Sequence, residues 1–245
     1  EKDIVLSADD FPELRSYIGQ TLITTDGKTL LGADDKAGVA EIMAALAYLA
    51  AHPEIKRPSV RVAFTPDEEV GRGVDHFDVE AFGVEYAFTI DGGEIGELVY
   101  ENFNASRARV TVKGRVVHPG TAKNKMKNAA HIAIELVNML PPQERPEHTE
   151  HYEGFFHLMK FQAEVEAAAL EFIIRDHDRS KFEAKKQLLL DAAAYLNRRN
   201  GEGSVKVELV DQYYNMKEHI LPVKHILEVA RQAMEKLLTD GRIHP

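Results

Sequence analysis

The chain has 245 residues, 44% of them hydrophobic, which is enough for one large or two modest domains with packed cores. With 30 basic against 40 acidic residues, its formal charge of −10 argues against nucleic acid or an anionic membrane surface as a partner. It has no cysteine, which excludes disulfides and thiolate metal sites and fits a cytoplasmic protein, and no apolar run approaches the roughly 20 residues of a membrane span.

The first hundred residues predict alternating strands and helices. Two apolar runs flank Asp26-Gly27 within residues 21–31, a pattern typical of a tight hairpin. Apolar residues then recur at helical spacing from Val39 to Ala50. Strand-like apolar runs follow at 60–66 and 86–90. We therefore expect an α/β domain in this part of the chain.

Acidic residues stand where three of the strand-like runs end. The three groups are Asp34-Asp35, Asp67-Glu68-Glu69 and Asp91. Ligands collect outside the carboxyl ends of strands in open α/β sheets, and clustered carboxylates repel one another unless a cation lies between them. One such group alone is better interpreted as helix-start acids. Three together favour a site for a pair of divalent metal ions.

From about residue 103 onward, apolar and polar residues alternate with period two in several segments, as expected for a sheet covered on one face. Strand patterns surround Val110, Val165, Phe172 and Val207, and helical patterns surround Ile132 and Leu189. The order is strand, helix, strand, strand, helix, strand. This order predicts a ferredoxin-like βαββαβ domain.

The change of pattern also predicts the domain boundaries. Residues 1–100 form the first part of one domain, 101–213 form the inserted ferredoxin-like domain, and 214–245 return to the first domain. The returning segment contains a predicted helix with an apolar stripe from Ile226 to Leu237.

Four motifs, in order along the chain, resemble those of the peptidase T family, the tripeptide aminopeptidases among the dinuclear zinc exopeptidases. They are residues 32–38 (GADDKAG), 64–71 (FTPDEEVG), 89–93 (TIDGG) and 117–122 (VHPGTA). The resemblance runs through the whole chain. It implies a zinc-exopeptidase-type catalytic domain interrupted by a lid or dimerisation domain, and a small peptide as substrate.

The resemblance also implies metal-site roles. Asp34 would bridge two zinc ions, Asp91 would complete the shell of one ion, and Glu69 that of the other. Glu68 would be the general base and later the proton donor to the leaving amine. The family implies a cis peptide bond between Asp34 and Asp35.

In these enzymes the inserted domain mediates homodimerisation, and a histidine from the partner's domain stabilises the tetrahedral oxyanion. His118 matches that histidine. Arg175 lies on the polar side of its predicted strand and could bind a substrate carboxylate through a bidentate pair. A solvated arginine paired with Asp176 or Asp178 is an equally good interpretation.

By the same resemblance, the family's first zinc-binding histidine would precede Glu1 and its last would follow Pro245, so we expect an internal fragment. The remaining ligands are carboxylates, and oxygen-only ligation favours magnesium, calcium or manganese over zinc. We therefore expect this polypeptide to bind zinc weakly and to hydrolyse no peptide.

The leading hypothesis is a cytoplasmic zinc metallo-aminopeptidase acting on tripeptides. One alternative is another amidohydrolase or dipeptidase of the same superfamily, and another is a non-catalytic dimerisation fragment. A two-magnesium nuclease or phosphatase has different chemistry, and the charge of −10 argues against the nuclease.

Overall fold

The structure is a computed structural model that describes residues 4–93 and 96–239, with side chains as far as residue 237. The chain divides between Glu97 and Leu98 into two compact units. Among the described residues, no helix combines the length and apolarity that a membrane crossing requires.

The first unit contains two α-helices, α1 (Ala33–Ala51) and α2 (Val79–Phe82), together with 3-10 turns at Pro12–Tyr17 and Glu68–Val70. Helix α1 confirms the helix predicted from the apolar spacing. It ends where the His52 backbone N–H donates to the Tyr48 carbonyl at 3.1 Å. Helix α2 begins at Asp78, whose side chain accepts a hydrogen bond from the Ala81 N–H.

Among the described residues of the first unit no strand ladder forms, so the hairpin predicted within residues 21–31 was wrong. The turn is present: the Lys28 N–H donates to Asp26 Oδ1 at 2.9 Å, and Gly27 has a φ of 75°. Its flanking runs, and the runs at 60–66 and 86–90, form no regular element and pair with no strand within the part of the chain that the structure describes. A β-ladder forms only where a neighbouring strand lies in register. Apolar side chains such as Leu30, which is 91% exposed, therefore remain at the surface.

The second unit confirms the predicted ferredoxin-like order. Its sheet has the order β2-β3-β1-β4, and all pairs are antiparallel. The elements are β1 (Asn104–Lys113), α3 (Ala129–Met139), β2 (Phe155–Ala163), β3 (Ala167–Asp176), α4 (Arg179–Asn200), β4 (Val205–Tyr213), α5 (Lys217–Ile220) and α6 (His225–Thr239).

Strand β2 begins earlier than the alternation around Val165 predicts. Val165 lies in the turn between β2 and β3, which is closed by a hydrogen bond from the Glu164 N–H to the Ala167 carbonyl at 2.8 Å. The apolar alternation continues through this short turn, so period two alone does not reveal where the chain reverses.

One face of the sheet packs against α3 and α4. In β1 the inward residues Ala108, Val110 and Val112 are buried, while their polar neighbours are exposed. The largest buried side chains of this core are Phe172, Phe182, Leu136, Leu170, Ile174, Leu189 and Leu196. Each buried side chain of this size stabilises the fold by roughly 1.5–3 kcal/mol. The predicted helices here are confirmed.

Helices α5 and α6 belong to the same compact unit as the sheet. The boundaries 1–100, 101–213 and 214–245, and the return of the last segment to the first domain, stay predictions.

Because Gly114, just after β1, has no Cβ, two other backbone segments can pass close to it. A Cβ at this position would lie 2.1 Å from the Val165 carbonyl oxygen and 2.6 Å from that of Lys127. Both are backbone atoms of packed segments, so Gly114→Ala is expected to destabilise the chain by about 1–3 kcal/mol or more in urea unfolding. Gly92→Ala is the matched control, because its Cβ would enter open space. Equal stabilities of the two variants would contradict the expectation.

Candidate metal and substrate sites

Three carboxylates converge in the first unit. One oxygen each of Asp34, Asp35 and Asp91 lies within 4.8 Å of the others, and all three residues are exposed. Asp34 and Asp35 stand at the start of α1, and Asp91 follows the apolar run at 86–90. We call these three residues the acidic triad. The structure therefore brings together two of the predicted metal ligands, Asp34 and Asp91.

Local backbone geometry sets the orientation of the acidic triad. The peptide bond between Asp34 and Asp35 is cis, as the resemblance implied. Asp35 Oδ1 accepts a hydrogen bond from the Gly38 N–H at 3.1 Å. Asp91 Oδ1 accepts one from the Gly92 N–H at 2.6 Å. Asp34 and Asp35 have non-helical backbone angles, so the helix proper starts after them.

The acidic triad fits a divalent cation in its donor chemistry. Three carboxylates this close repel one another unless a positive charge lies among them. The ion pairs of this unit's described residues, Arg15 with Asp9 and Arg72 with Asp75, lie elsewhere. The ligands are oxygens only, the type that hard divalent ions prefer.

Glu68 and Glu69 lie outside the group of three. They occupy the 3-10 turn that follows Asp67, whose φ of 62° is left-handed. Both are exposed. Asp35 joins the group instead; it belongs to the first of the three predicted acidic groups, but the resemblance assigned it no ligand role.

Arg175 lies near the end of β3 in the second unit and makes no ion pair within the described residues. The alternative partners are engaged elsewhere. Asp176 lies 3.4 Å from Lys185 Nζ, and the Asp178 side chain accepts from the Lys181 N–H at the start of α4. Neither proposed local carboxylate therefore neutralises Arg175.

His118 is exposed on the segment between β1 and α3. Its Nδ1 accepts a hydrogen bond from the Gly120 N–H at 3.2 Å, in the 3-10 turn Pro119–Thr121. With Nδ1 accepting, the proton of the neutral ring lies on Nε2. His118 can therefore donate from Nε2 to a negatively charged oxygen.

Three asparagines, Asn102, Asn104 and Asn215, form a hydrogen-bond network beside Arg175. Buried Asn104 donates from Nδ2 to the carbonyls of Asp176 at 2.9 Å and His177 at 3.1 Å, and its Oδ1 accepts from the Asn215 N–H at 2.9 Å. The Asn102 N–H donates to Asn215 Oδ1 at 3.3 Å. Sequence reasoning missed this network, because nothing in the local pattern links residues so far apart.

Ionisable groups around this network are also shifted. Burial lowers the pKa of His177, which favours its neutral form. Burial opposes ionisation of Glu101, but hydrogen bonds from Lys217 and Asn215 outweigh it and lower the pKa of the Glu101 carboxyl. The end of β3 thus adjoins a ring whose neutral form is favoured and a carboxyl whose ionised form is favoured.

Comparison with known sequences gives a consistent result. Residues 100–204 match the family described as Peptidase dimerisation domain. Over 245 residues the chain is 54% identical to Peptidase T of Clostridium acetobutylicum and 57% identical to Peptidase T of Geobacillus kaustophilus, and over 244 residues it is 58% identical to that of Halothermothrix orenii. Each match covers 100% of this chain and 60% of the relative, so the chain spans about three fifths of the length of these curated relatives.

Solved structures agree with the sequence relatives. The aminopeptidase PepT of Bacillus cereus superposes with a TM-score of 0.73 at 25% identity, covering 86% of this chain and 57% of that one. A tripeptidase of Staphylococcus aureus gives 0.67 at 22% identity, covering 78% and 51%, which shows the shared fold. The chain is thus similar over its whole length to relatives named Peptidase T, contains a match to the Peptidase dimerisation domain at residues 100–204, and shares its fold with a solved aminopeptidase.

Proposed function

We propose that the chain supplies metal-binding and substrate-binding segments of a dinuclear zinc aminopeptidase, which releases the N-terminal residue from tripeptides. The observation that carries this proposal is the convergence of Asp34 and Asp91, two acids far apart in the sequence, in one group of carboxylates. Relatives named Peptidase T, at 54–58% identity, support it. The cysteine-free composition favours a cytoplasmic location.

Asp34, Asp91 and Glu69 would hold the two zinc ions, and Asp35, which lies in one group with Asp34 and Asp91, adds negative charge there. Zinc, when bound, supplies Lewis acidity toward the scissile carbonyl and lowers the pKa of water. Glu68 removes a proton from the attacking water and returns it to the leaving amine. Glu68 and Glu69 are adjacent in one 3-10 turn, and in this proposal one carboxylate holds metal while the other faces the substrate.

Two residues of the second unit bind the substrate in this proposal. The guanidinium of Arg175 binds the peptide carboxylate, and this role is supported by its buried Nε, which has no hydrogen-bond partner among the described residues. His118, acting from the partner subunit of a homodimer, donates from Nε2 to the oxyanion. The match to a Peptidase dimerisation domain at residues 100–204 supports the homodimer.

The same match also favours a second candidate function, a dimerisation module without activity of its own. Light scattering of the purified chain with and without zinc separates the two. A dimer that neither binds zinc nor changes with it supports the module, whereas zinc binding at the acidic triad supports the peptidase.

Asp91→Asn is expected to weaken zinc binding by more than about 10-fold, because it removes one charged ligand oxygen from the acidic triad. Isothermal titration of the chain with zinc measures the effect. Asp10→Asn is the matched control, an equally exposed aspartate outside the group. Equal affinities for the two variants would overturn the proposed site.

A further inference from the structure

The guanidinium of Arg175 lies near two aromatic rings. Its Cζ is 5.9 Å from the centroid of the Phe103 ring and 6.0 Å from that of Tyr213. Arg175 Nε is buried and has no hydrogen-bond partner within the described residues. Among the described residues, the charged guanidinium of Arg175 therefore lies near aromatic rings and is not paired with a carboxylate.

The ring of Phe103 is itself fixed on several sides. It meets Phe155 edge to face at 5.6 Å, and its centroid lies 3.9 Å from that of His177, which in turn lies 4.9 Å from Tyr152. Asn104 follows Phe103 directly and holds the carbonyl of His177. Phe103 is thus a rigid support, because packing contacts and a hydrogen-bonded backbone both restrain it.

Tyr213 approaches from the opposite strand. It ends β4 and pairs with Ala105 of β1, which also pairs with Arg175 of β3. Tyr213 is 42% exposed, so its ring lies at the surface beside the arginine. The two rings therefore reach the guanidinium from two separate segments.

Aromatic faces restrain a cation differently from a carboxylate. They attract the charge through the ring quadrupole and leave the N–H donors of the guanidinium unused. A protein carboxylate would occupy those donors in a bidentate pair. An arginine that is positioned by aromatic rings therefore keeps its charge and its N–H donors available for an external anion.

We propose that Phe103 and Tyr213 are positioning residues that hold the Arg175 guanidinium for the α-carboxylate of a short peptide. The site then selects peptides with a free carboxyl end over their amides. This inference rests on the proposed function only for the class of substrate, since the aromatic geometry stands without any metal.

The test is an NMR titration of the full 245-residue chain, without metal, that follows arginine Nε–Hε resonances. Arg175→Lys assigns the Arg175 resonance. Triglycine is expected to shift that resonance, and triglycine amide to bind at least about 10-fold more weakly, because it lacks the charge of a bidentate pair. Phe103→Leu and Tyr213→Leu are each expected to weaken triglycine binding about 3- to 10-fold.

Conservative and matched variants separate positioning from general structure. Tyr213→Phe keeps the ring and is expected to bind like the unmodified chain. Tyr195→Leu removes a similarly exposed tyrosine that lies beside Arg198 and Arg199 elsewhere in the same unit, and it is expected to leave binding unchanged. If Phe103→Leu no longer gives the NMR spectrum of a folded protein, the binding measured for Tyr213→Leu, a substitution at the surface, tests the inference.

Equal binding of acid and amide, or unchanged binding in Tyr213→Leu, would overturn this inference. Absence of zinc binding at the acidic triad would instead overturn the proposed peptidase function and leave the NMR result untouched. The two failures are therefore distinguishable.

Discussion

Replacing Glu68 with glutamine is expected to lower the rate of tripeptide hydrolysis by about 10²- to 10⁴-fold, the usual contribution of a positioned general base. Glutamine keeps the size of the side chain but cannot accept the proton of the attacking water. The rate is measured in a hybrid in which this chain replaces the matched segment of the Geobacillus kaustophilus Peptidase T, which is 57% identical over 245 residues. Release of the N-terminal residue from trialanine is followed at saturating substrate.

Glu69→Gln is the matched control, since it makes the same change at the adjacent residue of the same 3-10 turn. If Glu69 holds metal, its variant loses zinc affinity, and added zinc restores part of the rate. Zinc is expected to restore nothing in Glu68→Gln, whose metal affinity is unchanged. A Glu68→Gln hybrid that keeps half of its activity would remove Glu68 from the proton transfer.

Replacing Lys185 with alanine is expected to destabilise the chain by about 3–5 kcal/mol, because it leaves a buried carboxylate unpaired. Lys185 and Asp176 are only 9% and 2% exposed, and Lys185 Nζ lies 3.4 Å from Asp176 Oδ2. The same ammonium donates to Glu144, which joins the loop before β2 to helix α4. Urea unfolding followed by circular dichroism measures the loss.

The matched control for this prediction is Lys206→Ala. Lys206 also pairs with a carboxylate, Glu208, but their side chains are 69% and 51% exposed. Water replaces the lost partner there, so the effect is expected to be far smaller. Similar losses in both variants would show that burial of Asp176 does not determine the stability contribution of Lys185.

The ferredoxin-like domain could be predicted because its pattern is dictated locally. One face of the sheet is covered, so Val110 and Val112 alternate with exposed residues, and the buried stripes of α3 and α4 repeat at helical spacing. The pairing order then follows from a small set of allowed connections. The acidic groups at Asp34 and Asp91 were predictable for a similar reason, since each directly follows an apolar run.

Other features depend on contacts that local patterns do not encode. The apolar runs at 21–31, 60–66 and 86–90 have strand-like composition, but a ladder requires a neighbour in register, and none pairs within the described residues. The start of β2 is hidden because alternation crosses its turn. Asp35 accepts a hydrogen bond from the Gly38 N–H, and the contact between Phe103 and Arg175 joins residues that are far apart in the sequence.

The asparagine network places the entry and exit of the four-stranded domain side by side. Asn102 donates from Nδ2 to the Tyr214 carbonyl at 3.2 Å, and its Oδ1 accepts from the Met216 N–H at 2.9 Å. A polypeptide segment whose two ends meet can be spliced into a surface loop of a host protein without stretching the host backbone. Because these amide contacts hold the two ends of the sheet domain together, we expect that the domain can be inserted into another protein through two adjacent junctions.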